Sequence, residues 1–216
     1  MRDIKACIFD MDGLMIDSER VAEEAYIQAG LELGLEMTSE IYRSLIGTDV
    51  KTVCNVLGQH FTDAEIVLLR RRMSEIKEKI YETEGIQVKK GLYQLFDYLE
   101  KRKIKRIVAT STSQTIAMKI LKKINIYHRL DGGVYGDDVK VAKPEPDIFF
   151  KALEVSGVAA EQALILEDSH NGIRAANNAN IAVVMIPDLL LPLDNLETVA
   201  VLNNLEEVIW LLEGAL

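Results

Sequence analysis

The stretch Ile8-Phe9-Asp10-Met11-Asp12-Gly13-Leu14-Met15-Ile16-Asp17-Ser18-Glu19 decides how the rest of the chain is read. It opens inside Ala6-Cys7-Ile8-Phe9, a short apolar run with a β-branched residue and an aromatic. That is the pattern of a strand buried on both faces, as in a parallel sheet. Asp10 and Asp12 stand where this strand ends, and Gly13 follows at once. Two close negative charges raise each other's pKa unless a cation shares the site. A divalent metal such as Mg2+, which prefers oxygen ligands, resolves the conflict. The alternative at this point is plain loop chemistry, with two solvated aspartates and Gly13 forming a turn.

Beyond Gly13 the period changes from strand to helix. Val21, Ala22, Ala25, Tyr26, Ala29 and Leu33 recur at three- and four-residue steps, with Asp17 or Ser18 expected as the cap. Ile41, Leu45 and Ile46 mark a second helical segment; Val53, Val56 and Leu57 mark another, closed by Gly58. A longer one runs from Asp63 through Ile66, Leu69, Met73, Ile76 and Ile80. Its triple Arg70-Arg71-Arg72 reads as a solvated face in preference to a phosphate-binding patch.

From Gly91 onward helices and strands alternate. The expected strands are Arg106–Ala109, Gly133–Tyr135, Ala163–Leu166 and Ala182–Met185, each separated from the next by an apolar helical face. Alternation of this kind implies right-handed crossovers and an α/β fold with a doubly wound, Rossmann-like parallel sheet. The expected organisation is a core of residues 1–16 and 88–216 with a helical-bundle cap inserted at 17–87. The final helix, Leu205 to Leu212 with Trp210, is expected to cover the sheet.

Composition removes several classes of function. The 216 residues carry 25 Lys and Arg against 34 Asp and Glu, a net charge of −9, which disfavours sequence-independent nucleic-acid binding. Cys7 and Cys54 are too few for a disulfide framework. No apolar stretch is long enough to span a membrane, and Met1-Arg2-Asp3-Ile4-Lys5 runs straight into the first strand without a signal peptide. A soluble, cytoplasmic protein is expected.

In open parallel sheets, ligands bind beyond the carboxyl ends of the strands. The first strand delivers Asp10 and Asp12 there, and the second delivers Thr110-Ser111-Thr112-Ser113 ahead of a helix. Hydroxyls and N–H groups at a helix start suit an anion, although the same residues serve as simple N-caps. Lys143-Pro144-Glu145-Pro146-Asp147 holds a lysine in a stiff loop before the next helix, either to neutralise an anion or as a surface residue. A later strand runs into Glu167-Asp168-Ser169-His170-Asn171-Gly172, a second carboxylate pair followed by a glycine; His170 is read as incidental. The four segments together describe an oxygen-rich metal site beside an anion site.

Asp10-x-Asp12-Gly13 with Asp17-Ser18-Glu19, then Thr110, Lys143-Pro144 and Glu167-Asp168-Ser169-x-x-Gly172, resemble the four motifs of the haloacid dehalogenase superfamily in order. The helical insert resembles the cap of the branch that contains β-phosphoglucomutase and many small-molecule phosphatases. The resemblance implies that Asp10 attacks phosphorus to form an aspartyl-phosphate, and that Asp12 protonates the leaving oxygen and then activates water. It implies Mg2+ held by the Asp10 carboxylate, the Asp12 carbonyl and Asp168, with Glu167 as a direct or water-mediated ligand. Gly13, Thr110, Ser111 and Lys143 would hold the phosphate, and the cap would close over the substrate.

Dehalogenases lack the second aspartate, so Asp12 favours phosphoryl chemistry. The mutase relatives' cap histidine and arginine fall at Ala22 and Val50, with Arg20 and Lys51 adjacent as possible substitutes. The first expectation is therefore an Mg2+-dependent phosphatase acting on a small phosphorylated metabolite, a sugar phosphate foremost. The second is a β-phosphoglucomutase-like sugar phosphomutase, and the third a non-catalytic binding module. No nucleic-acid or membrane partner is expected, and a monomer is favoured.

Overall fold

The computed structural model describes residues 3–46, 48 and 50–215, with backbone alone at 50 and 51. The described residues contain a six-stranded, all-parallel sheet. Strand β1 (Ala6–Phe9) is followed by four helices: α1 (Ser18–Leu33), α2 (Ser39–Arg43), α3 (Val50–Leu57) and α4 (Asp63–Thr83). Then come α5 (Leu92–Arg102), β2 (Lys105–Ala109), α6 (Gln114–Lys123), β3 (Gly132–Val134), α7 (Asp147–Ser156), β4 (Ala163–Glu167), α8 (His170–Asn178), β5 (Ala182–Met185), β6 (Ala200–Val201) and α9 (Glu207–Glu213).

The strand order is β3-β2-β1-β4-β5-β6. The first strand is thus central, and the chain builds outward from it first on one side and then on the other. That reversal makes the switch point beside which α/β sheets bind ligands. Register does the rest. Phe9 lies opposite Val108 on β2 and Leu166 on β4, so Asp10 comes out level with Ala109 and Glu167. The ladder continues one step further, with Asp10 N–H donating to Leu166 O at 3.1 Å and Thr110 N–H to Val134 O at 3.1 Å. Every residue of β1 and β4 is buried, as parallel strands covered on both faces require.

Alternate residues serve the two faces of this sheet. Ile8, Ile107, Ile165 and Val183 pack with Phe149 and Ala152 of α7 and Ile173 and Ala176 of α8. On β1 the next residue along, Phe9, meets Phe96 of α5 with ring centroids 5.1 Å apart. Burying side chains of this size is worth about 1.5–3 kcal/mol each.

By contact the chain divides into two compact units, Met1–Ile16 with Val88–Leu216, and Asp17–Gln87. In the second unit α1 packs on α4 around Ala25, Tyr26, Ala29, Leu57, Leu69 and Ile76. Helix α4 begins with a full capping box, Thr62 and Glu65 satisfying each other's backbone N–H. Asp17 occupies the N-cap position of α1 without a side-chain cap; its carboxylate is taken by Arg20 at 2.7 Å. The arginine triple of α4 is spent locally: Arg71 on Glu75, and Arg72 on Glu32 and Glu75. Arg70 points to the Cys54 sulfur, 4.0 Å away, and lies close enough to Tyr26 to draw its hydroxyl down against burial. The sixth strand, Ala200–Val201, lies outside the five strands read from the sequence; two edge residues are too few to show a period.

Candidate active site

Lys143 is the hub of the carboxyl edge. It is 7% exposed, and its ammonium donates to Asp10 Oδ1 at 2.5 Å, Glu167 Oε1 at 2.6 Å and the Ala109 carbonyl at 3.2 Å. An ammonium has three donors, and here each binds the end of a different strand: β1, β4 and β2. Phe149 of α7 lies against the same group, 5.1 Å from its ring centre. Asn178 of α8 anchors the lysine's loop by donating to the Pro144 carbonyl at 3.0 Å.

Burial pushes the Asp10 carboxyl up to about 7; Lys143 opposes the shift, and Glu167 and Asp12 reinforce it. Burial works to lower the Lys143 ammonium, but Asp10 and Glu167 prevail and raise it. Protein groups alone therefore leave the edge with too little positive charge. Asp10, Glu167 and Asp168 are all buried, Asp12 is half-buried, and one lysine faces them.

Glu167 is held by its own chain. Its Oε2 accepts from the Asp168 N–H, the Ser169 N–H and the Ser169 hydroxyl, each at 3.0 Å, while Oε1 takes Lys143. Ser169 also caps α8, its hydroxyl accepting from the Gly172 N–H at 3.1 Å. The first turn of α8 passes so close that a Cβ on Gly172 would overlap the Glu167 carboxylate. On the other side of the site Gly13, with φ +80°, lies directly against the Asp168 carboxylate, where any side chain would collide. The glycines that close two of the sequence motifs are thus required by the carboxylates of those motifs.

Thr110 is buried at the end of β2, and its hydroxyl accepts from the Thr112 N–H at 3.1 Å. Among the described residues the Ser111 N–H has no protein acceptor, so it can serve an incoming anion. Ser113 takes the N-cap position of α6 without a side-chain bond; Asp137 caps that helix instead, accepting from the Gln114 N–H at 3.1 Å. Thr112 donates its hydroxyl to Asp12 Oδ2 at 2.7 Å. Sequence reading took Thr112 only as one of four hydroxyl residues before a helix, suited to an anion or a cap, and did not single out Asp137. Both partners lie far off in the chain, and only spatial pairing reveals them. His170 contacts the Leu191 carbonyl at 2.7 Å. Arg20 is engaged by Asp17, Ala22 is buried in the helical unit, and the side chains of Val50 and Lys51 lie outside the described residues.

The donor set can be tested against Mg2+. Among the described residues no three His, Cys, Asp or Glu side chains converge as a metal cage. Mg2+ does not ask for one: it keeps several waters and uses one or two carboxylates plus substrate phosphate. Asp10 Oδ2 accepts no hydrogen bond among the described residues, and the buried Asp168 carboxylate lies against Gly13, three residues further along the same loop. Hard oxygen donors in negative excess beside an open Asp10 oxygen fit this ion.

Residues 7–186 match the haloacid dehalogenase-like hydrolase family, and the chain belongs to it. A phosphorylated carbohydrates phosphatase of Thermotoga maritima is 30% identical over 179 residues, 82% of each chain. The crystal structure of CbbY from Rhodobacter sphaeroides in complex with phosphate superposes with a TM-score of 0.80 at 26% identity, covering 95% of this chain and 96% of that one. A β-phosphoglucomutase structure from Clostridium difficile shares the fold, with a TM-score of 0.78 at 20% identity and coverage of 98% and 97%. The chain is therefore an enzyme of the hydrolase class.

Proposed function

We propose that this hydrolase is an Mg2+-dependent phosphatase that cleaves a small phosphorylated metabolite, a sugar phosphate foremost, through an aspartyl-phosphate on Asp10. The observation that carries the reading is the clamp of Lys143 on the buried Asp10 at the end of the central strand. A buried carboxylate with one oxygen bound by an ammonium and the other free of protein donors among the described residues suits the role of a nucleophile. The T. maritima relative, named for phosphorylated carbohydrates, and the CbbY structure in complex with phosphate support the substrate class.

In this reading Asp10 and Asp168 with the Asp12 carbonyl would hold Mg2+. When bound, the ion supplies the positive charge that lets an anionic carboxylate approach an anionic phosphate. Thr110, the Ser111 N–H and Lys143 face the phosphoryl oxygens, where charge resides in the transition state. Lys143 also favours the ionised form of Asp10 against its burial and holds its Oδ1. Glu167 holds Lys143, and its remaining contacts go to its own chain. Asp12 gives a proton to the leaving oxygen and then takes one from the attacking water.

Two features speak against a mutase. Ala22 stands at one of the mutase cap positions, and Arg20 beside it is engaged by Asp17. The test is a panel of sugar and other small monophosphates with Mg2+, followed by free phosphate and by NMR for isomer formation. Phosphate release without isomerisation is expected, and Asp10→Asn should lower kcat by at least about a thousandfold while leaving the fold intact. Isomerisation stimulated by a sugar bisphosphate would overturn the phosphatase assignment. Substantial Mg2+-dependent turnover by Asp10→Asn would overturn the mechanism, and no phosphate release from any ester would favour a binding module.

A further inference from the structure

We infer that Thr112 is a positioning residue for Asp12: its hydroxyl fixes Asp12 Oδ2, so that the proton exchanged during phosphoryl transfer is carried on Oδ1. The inference rests on the proposed phosphatase chemistry and adds to it a residue outside the motifs.

The geometry is a three-way junction on one residue. The Thr112 N–H donates to Thr110 Oγ1 at 3.1 Å, the Thr112 carbonyl accepts from the Gly136 N–H at 3.0 Å, and the Thr112 hydroxyl donates to Asp12 Oδ2 at 2.7 Å. The first two bonds use the main chain and already hold the loop between β2 and α6. The hydroxyl is therefore not needed to shape that loop. It is spent on a carboxylate 100 residues away in the chain, on the loop after β1.

This one bond decides which oxygen of Asp12 is chemically active. A hydroxyl that donates to Oδ2 makes that oxygen an acceptor, so a proton added to the carboxyl resides on Oδ1. In the first step Asp10 forms a bond to phosphorus as the ester P–O bond breaks. The Oδ1 proton passes to the departing oxygen, which leaves as an alcohol, and Asp12 becomes a carboxylate. In the second step water attacks the phosphoryl group and the Asp10–P bond breaks. One water proton returns to Oδ1, and inorganic phosphate leaves. Without the hydroxyl, Asp12 can rotate and share its proton between two oxygens, only one of which is aimed.

Thr112→Val removes the donor at nearly constant shape and spares both main-chain bonds; Thr112→Ser keeps the donor. The readout is phosphoenzyme formation in single turnovers, comparing phenyl phosphate, whose leaving group needs a proton, with p-nitrophenyl phosphate, whose leaving group does not. For T112V we expect a loss of about ten- to a hundredfold on phenyl phosphate, the scale of a misplaced catalytic group. On p-nitrophenyl phosphate the change should stay within threefold, and T112S should restore the phenyl phosphate rate. Equal losses on both esters, no loss on either, or a T112S variant as impaired as T112V would each overturn the inference. Asp12→Asn separates this failure from that of the underlying reading. A leaving-group split in D12N but not in T112V overturns the role of Thr112 alone; no split in D12N removes the acid role of Asp12, and the inference with it.

Discussion

The carboxyl edge of the sheet and the outer faces of the helical unit both carry clustered acids and bases, yet they use them in opposite ways. On the helices Arg72 bridges Glu32 and Glu75 with side chains 42%, 37% and 46% exposed. Water and salt screen such pairs, and they contribute little to stability. At the sheet edge Lys143, Asp10 and Glu167 have side chains 6%, 11% and 0% exposed. Buried charges are costly unless paired, so removing one partner leaves the others stranded. Similar pairing in sequence terms is solvated in one region and buried in the other, and burial sets what each pair is worth.

Substitution at Lys143 should have the largest effect. Lys143→Met should abolish turnover and cost about 3–5 kcal/mol by urea unfolding at neutral pH, because two buried carboxylates lose their cation. A midpoint matching the wild type would mean that the edge is as screened as the helices, and the contrast would collapse. Gly172→Ala comes next: its new methyl must displace Glu167, at about 1–3 kcal/mol and with a fall in kcat. A neutral outcome there would show that Glu167 can move without disturbing Lys143.

Arg72→Ala should leave both kcat and the urea midpoint unchanged within measurement error, and a clear loss of either would give the helical pairs a weight that their exposure denies them. The smallest effect concerns the two thiols. Burial pushes the Cys7 thiol in β1 up to about 12, while Cys54 is exposed on α3. A thiol reagent at pH 8 should therefore label one equivalent in the folded protein and two after denaturation. Two rapid equivalents in the native state would show that β1 opens, and with it the strand that carries Asp10.

Much of the site was legible from residue pattern. Asp10, Thr110 and Glu167 each follow a short apolar run directly, and that run fixes them at a strand end. Gly13 and Gly172 were visible as motif residues, but what they make room for was not. The exchange of Ser113 for Asp137 as the cap of α6 had no local signal, since a serine before a helix is the usual choice. Strand β6 was missed because two edge residues carry no period.

The sequence by itself determined the class of fold, the insertion of helices after the first strand, and the identity of the charged residues at each strand end. These follow from local periodicity and from the chemistry of adjacent side chains. Tertiary structure decided which of those ends meet. Placing β1 between β2 and β4, in a register that brings Asp10 level with Ala109 and Glu167, lets one ammonium reach all three strands. It also brings the Thr112 hydroxyl to Asp12. Pairing across 100 residues is a property of strand order and register, and neither is encoded within any one segment.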